Sequence, residues 1–133
     1  MSCKMKPLVY IASPYTKGDP AMNVRSQMDL FDKLLTDGVV APYAPLWSHF
    51  QHIHKPRPYD DWLNYDLEVI IPLCNALLRV PAVVRDRPGM FYVQRESKGA
   101  DREVERAQEL GIKTFNDILV LYEWAKGAWY DEK

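Results

Sequence analysis

Two hydrophobic rhythms alternate along the chain, and each switch between them marks an element. Pro7 to Ala12 (Pro-Leu-Val-Tyr-Ile-Ala) is a short, nearly continuous apolar run, the pattern of a strand covered on both faces, as in a parallel sheet. It ends in Ser13-Pro14-Tyr15-Thr16-Lys17-Gly18-Asp19-Pro20, a polar loop full of turn residues. Asp19 before Pro20 is a cap and first-position pair, and Val24, Met28, Phe31 and Leu35 then predict an amphipathic helix stopping near Asp37-Gly38. Val39 to Tyr43 reads as a second strand, with Pro42 marking an edge or an early departure from the sheet. Ala44 to Pro58 predicts a loop or a broken helix. Tyr59 to Leu73 returns to helical spacing, with Trp62, Leu63, Asp66, Leu67, Ile70 and Ile71 on one side and Asp60 and Asp61 in the first turn. Asn75 to Val80 is a third strand. Pro81 to Arg95 is long for a strand-to-helix link and reads either as a lid or as a surface hairpin.

The stretch from Glu96 to Gly111 organises the rest. Ser97 can cap, Gly99 lets a backbone come close, and Ala100, Val104, Ala107 and Leu110 recur at helical spacing until Gly111 stops the run. The unpaired amides and positive dipole end of such a helix favour a phosphate or carboxylate, and Ser97 adds a hydroxyl donor. Glu103 falls at the edge of the apolar stripe, away from an outer face made by Arg102, Arg106 and Glu109. Ile112 to Phe115 is a short strand, and Asn116 is placed to cap a last helix through Ala125. Trp124, Trp129 and Tyr130 then offer a docking surface, against the body or against a second subunit. The alternation predicts a single α/β domain over residues 1–133: an open, mostly parallel sheet of four to five strands with helices on both faces, Rossmann/flavodoxin-like.

Composition narrows the partners. The 133 residues are 47% hydrophobic, which suits one compact core, and the net charge of -1 argues against a nucleic-acid polymer as partner. Cys3 and Cys74 have no metal-type spacing and make no disulfide framework, and no segment reads as a signal peptide or membrane span, so a cytoplasmic protein is expected. His49, His52 and His54 suggest a metal, but without a Cys and at irregular spacing they read better as a pocket wall or a loop packed by its aromatics, and no metal or cofactor is expected.

The chemistry gathers at one edge of the expected sheet. Asp66 is the anomaly in its helix, because a carboxylate among core-facing residues needs a partner or a task. With the Ser13 loop, Ser97 and Glu103 it makes two acidic groups beside an anion-binding helix end. That set fits cleavage of a glycosidic bond in a phosphorylated substrate. No Walker motif, dinucleotide fingerprint or nucleophile elbow is present.

Leu8-Val9-Tyr10-Ile11-Ala12-Ser13-Pro14-Tyr15, the Asp66-Leu67 step and Ser97-Lys98-Gly99-Ala100-Asp101-Arg102-Glu103 with Ala107 resemble the nucleoside 2-deoxyribosyltransferase-like superfamily, over roughly Leu8 to Phe115. The superfamily includes deoxyribosyltransferases and 2'-deoxynucleoside 5'-monophosphate N-glycosidases. The resemblance implies that Glu103 attacks C1' of the sugar and that Asp66 positions the sugar or protonates the departing base. It also implies substrate-binding roles for Ser13, Tyr15, Ser97 and Gly99. Ser97 stands where members acting on free nucleosides tend to carry an acid, which tilts the reading toward a nucleoside 5'-monophosphate and toward hydrolysis over base exchange. A homodimer or larger homo-oligomer is implied as well, with the neighbour closing the site. Two departures surround the expected substrate: the first loop lacks the glycine-rich form of the monophosphate N-glycosidases, and the 81–95 segment is longer than usual. Two other classes remain open here: a non-catalytic nucleotide sensor using the same anion site, and a structural protein in which Asp66 and Glu103 pair with arginines.

Overall fold

The computed structural model describes residues 5–130; Cys3 lies outside the described residues. Strands β1 (Leu8–Ala12), β2 (Ala41–Tyr43), β3 (Ala76–Arg79) and the later Lys113–Phe115 form one parallel sheet in the order β2, β1, β3, Lys113–Phe115. Helix α1 (Pro20–Asp37) returns the chain from β1 to β2. A 3-10 turn (Pro45–Trp47), α2 (Ser48–His54) and α3 (Tyr59–Tyr65) then carry it to β3 on the other side of β1. The expected loop or broken helix over 44–58 is therefore a broken helix. Pro42 sits on the edge strand, as its missing N–H requires.

Residues of alternate parity along each strand serve the two faces. Val9, Ile11, Ala76 and Leu78 pack with Leu34 and Leu121, whereas Tyr10, Ala12 and Leu77 pack with Leu67, Ile71 and Ala107. Helices thus cover both faces. Because β1 sends its helix to one face and β3 to the other, their carboxyl ends flank a switch point, the place where open α/β sheets leave a crevice.

Three boundaries differ from the sequence reading. The buried face of α1 is Asn23, Val24, Gln27 and Leu34, while Leu35 is 58% exposed, so the stripe is turned by about one residue. Two amides occupy that face because they hold the loop after β1, an arrangement that apolar spacing does not reveal. The last helix, α5 (Ile118–Trp124) after α4 (Lys98–Glu109), is capped by Asp117, not Asn116: its carboxylate accepts from Leu119 N at 2.8 Å and Val120 N at 3.2 Å. The 81–95 segment is an antiparallel hairpin, β4 (Ala82–Arg87) with β5 (Met90–Gln94), making Lys113–Phe115 strand β6. The hairpin packs on α1, where Val83 N donates to Ser26 Oγ at 2.8 Å, so the segment is a surface hairpin.

Helix α3 does not stop at Tyr65. It widens into a π-type turn over Asp66–Ile70 and tightens into a 3-10 turn over Ile71–Leu73. Pro72 accounts for this, since it cannot donate to the carbonyl of Glu68 and its ring would strike that oxygen in a regular helix. The terminal aromatics dock on the body: Tyr130 donates to Val39 O and Trp129 to Met5 O, each at 3.0 Å. Among the described residues no helix is long and apolar enough to cross a membrane.

Candidate active site

Glu103 is more deeply placed than the stripe on α4 suggests. It is 7% exposed and lies between the buried Ala100 and Ala107, while Leu110 turns outward. Arg106, expected on the outer face, reaches back and donates to the carbonyl of Leu67 at 3.0 Å, tying α4 to the widened turn that carries Asp66. A buried carboxyl requires a donor, and the donor is Tyr10 of β1, whose phenol hydrogen-bonds Glu103 Oε2. Asp66 is near enough for its charge to raise both Tyr10 and Glu103, so the phenol and the two acids form one cluster.

Burial decides their protonation. Desolvation pushes Glu103 up to about 8 and Asp66 up to about 7, and the charge of Asp66 adds to the rise at Glu103 while the Tyr10 hydrogen bond opposes it at both. Two such neighbours hold about one proton between them near neutrality, more of it on Glu103 than on Asp66, giving one carboxylate and one carboxylic acid in a single cleft. Tyr10 is held well above its ordinary value by burial first and by the two acids next, so it stays a hydrogen donor.

The cleft is at the switch point. Ser13, Tyr15, Asp66, Ser97 and Glu103 line it together with Tyr59, and Gly99 lies with Ser97 in the adjoining pocket at the first turn of α4. All six residues singled out from the sequence therefore converge. Ser97 is the N-cap, its Oγ accepting from Ala100 N at 3.0 Å, which leaves its own hydrogen to donate outward. Ser13 accepts at 2.8 Å from Gln27, whose carbonyl oxygen takes Leu46 N at 2.9 Å, while Asn23 donates to Tyr15 O at 2.9 Å and Lys17 O at 2.7 Å. The first loop is thus held by two buried amides of α1. Arg79 fixes the other side, donating to Arg95 O at 2.7 Å and approaching Asp101 at 3.4 Å.

Tyr10, Asn23, Gln27 and Tyr59 were not singled out as site residues from the sequence. A signal was present for the first three: a phenol in an otherwise aliphatic strand and two amides beside an apolar stripe all need buried partners. Of the histidines, His49 shares a 2.7 Å hydrogen bond with Tyr15, and His52 Nδ1 accepts from Trp62 at 3.0 Å. Among the described residues no three His, Cys, Asp or Glu side chains converge as metal ligands, and neither Asp66 nor Glu103 forms an ion pair with arginine. Cys74 is buried and its thiol is pushed up to about 12, so it is an inert core residue.

Compared with protein-family models, with curated proteins and with solved structures, the chain produces no match. The family resemblance accordingly rests on the motif residues alone.

Proposed function

We propose that this protein is an N-glycosidase of nucleoside 5'-monophosphates. The observation that carries this reading is the pair Glu103 and Asp66 lining one cleft whose wall includes the N-cap of α4, with Glu103 on the Tyr10 hydroxyl. The likeness of the Ser97 to Glu103 stretch to the nucleoside 2-deoxyribosyltransferase-like superfamily points to the same chemistry.

In this reading the Glu103 carboxylate attacks C1' of the sugar. The bond between C1' and the base nitrogen breaks, its electron pair leaves with the base, and the proton held by Asp66 neutralises that nitrogen. The product is a glycosyl ester on Glu103. Water then attacks C1', the ester bond breaks, Glu103 leaves as carboxylate, and the water's proton returns to Asp66. Tyr10 serves by donating to Glu103, which offsets part of the desolvation and aims the attacking carboxyl. The 5'-phosphate meets the first turn of α4, where Ser97 and backbone N–H groups are free to donate. A second copy of the chain closing the cleft belongs to this reading, and sedimentation of the purified protein tests it.

The deciding experiment incubates the protein with ribo- and deoxyribonucleosides and their 5'-monophosphates and follows free base by chromatography, with Glu103→Ala in parallel. Base from monophosphates, absent in the variant, is the expected result. Base exchange from nucleosides only when an acceptor base is supplied would make the protein a transferase and remove the phosphate argument.

A further inference from the structure

Tyr59 and Ser97 are the two side chains shared by two neighbouring cavities. One is the cleft over Glu103 and Asp66, with a volume of only about 30 Å³, room for about one water molecule. The other, at Ser97 and Gly99, measures about 560 Å³ and is large enough for a small organic ligand. A molecule reaching from the acids to the first turn of α4 must therefore pass the position that Tyr59 holds.

That position is specific. A Cβ built on Gly99 would collide with the Tyr59 hydroxyl oxygen and come within 3.4 Å of Cζ, so the phenol rests on the bare backbone of α4. The other side of the ring stacks on Tyr15, with centroids 6.4 Å apart and planes at 22°. Little else restrains it. Tyr59 is 39% exposed, it is the first residue of a helix whose start at Pro58 has no side-chain cap, and the preceding 55–58 segment is exposed throughout. The phenol is pushed up to about 12, chiefly by burial, so it reaches any ligand as a neutral donor.

We propose that Tyr59 is the gate of the site: its ring on Gly99 and Tyr15 seals Glu103 and Asp66 from the outer pocket, and it swings aside to join the two cavities when substrate enters. That the entering molecule is a nucleoside monophosphate, whose phosphate replaces the phenol over Gly99, rests on the function proposed above; the gate over the acids does not.

Carbodiimide coupling of an amine to accessible carboxyls, read residue by residue by peptide mass spectrometry, tests the gate without any turnover. Glu103 in the native protein is expected to label at least ~10-fold more slowly than the exposed Glu109, and Tyr59→Ala is expected to raise the Glu103 rate by ~10-fold or more with Glu109 unchanged. Gly99→Ala should do the same from the opposite side, because its methyl group takes the place of the hydroxyl, and it serves if Tyr59→Ala does not fold. Tyr59→Phe keeps the ring and should stay within about threefold of the native rate. Equal Glu103 labelling in the native protein and in folded Tyr59→Ala and Gly99→Ala would overturn the gate. Faster labelling with no base released from any monophosphate would keep the gate and remove the nucleotide reading; base release with labelling unmoved would do the reverse.

Discussion

Tyr10 and Glu103 lie 93 positions apart in the chain and meet through one hydrogen bond that joins the central strand β1 to helix α4. The donation favours the ionised form of Glu103 against a strong desolvation that favours the neutral one. Tyr10→Phe removes that support while keeping the ring. Base release is expected to fall by roughly 10-fold or more, with the pH–rate profile displaced to higher pH, since Glu103 then ionises less readily. A loss of rate with an unmoved profile would mean that the phenol acts only as packing.

In the proposed mechanism the shared proton sets a pH optimum. In that reading both acids are protonated below about 7 and neither is above about 8; in between the one shared proton lies mainly on Glu103, and the fraction with it on Asp66 is the form that attacks. A bell-shaped profile of kcat/KM centred between those values is the expected outcome, measured by initial rates of base release. A rate that keeps rising to pH 10 would remove the acid from the mechanism.

Stability carries the opposite imprint of the same groups. Glu103 has a folded value of about 8 against 4.5 for a free side chain, so the folded state holds a proton that the unfolded state has released across that window. Stability on this account is full below about 4.5 and declines as the pH rises through about 8. Glu103→Gln removes the penalty. It is expected to melt a few degrees above the native protein at pH 8 to 9, a gain on the order of 1–3 kcal/mol, with the gap closing toward pH 4 to 5. Thermal unfolding across this range checks the sign, and the variant should release no base.

Ser97 caps α4 and, in the proposed function, meets the phosphate, two tasks that substitution can separate. Ser97→Ala deletes the cap on α4 and is expected to cost about 1 kcal/mol of stability. Ser97→Asp retains a capping oxygen but adds a negative charge where the phosphate is placed. Its melting temperature should stay near the native value while KM for a monophosphate rises ~10-fold or more and the nucleoside becomes the better substrate. Equal KM values for native and Ser97→Asp proteins would move the phosphate away from this turn.

Much of the fold was legible because strand and helix obey different periods. The run from Pro7 to Ala12 could be read as a doubly covered strand, Asn75 to Val80 as a further strand, and Asp19 with Pro20 and Gly38 as the ends of α1. Misplacements arose where a polar side chain took a core position. Gln27 and Asn23 turned the face of α1, and Asp117 displaced Asn116 as a cap, since which of two adjacent capping residues takes the extended conformation depends on how β6 ends.

The order of local patterns along the chain was enough to determine the alternating α/β fold and to nominate Glu103, Asp66 and the Ser97 turn, because capping, periodicity and a misplaced carboxylate are properties of neighbouring residues. Tertiary structure alone decided that Tyr10 bonds Glu103, that burial raises both acids, and that Tyr59 lines both cavities. Those facts depend on depth and on contacts between strand β1, helix α3 and helix α4. Desolvation and proximity come into being only when the sheet brings distant segments together.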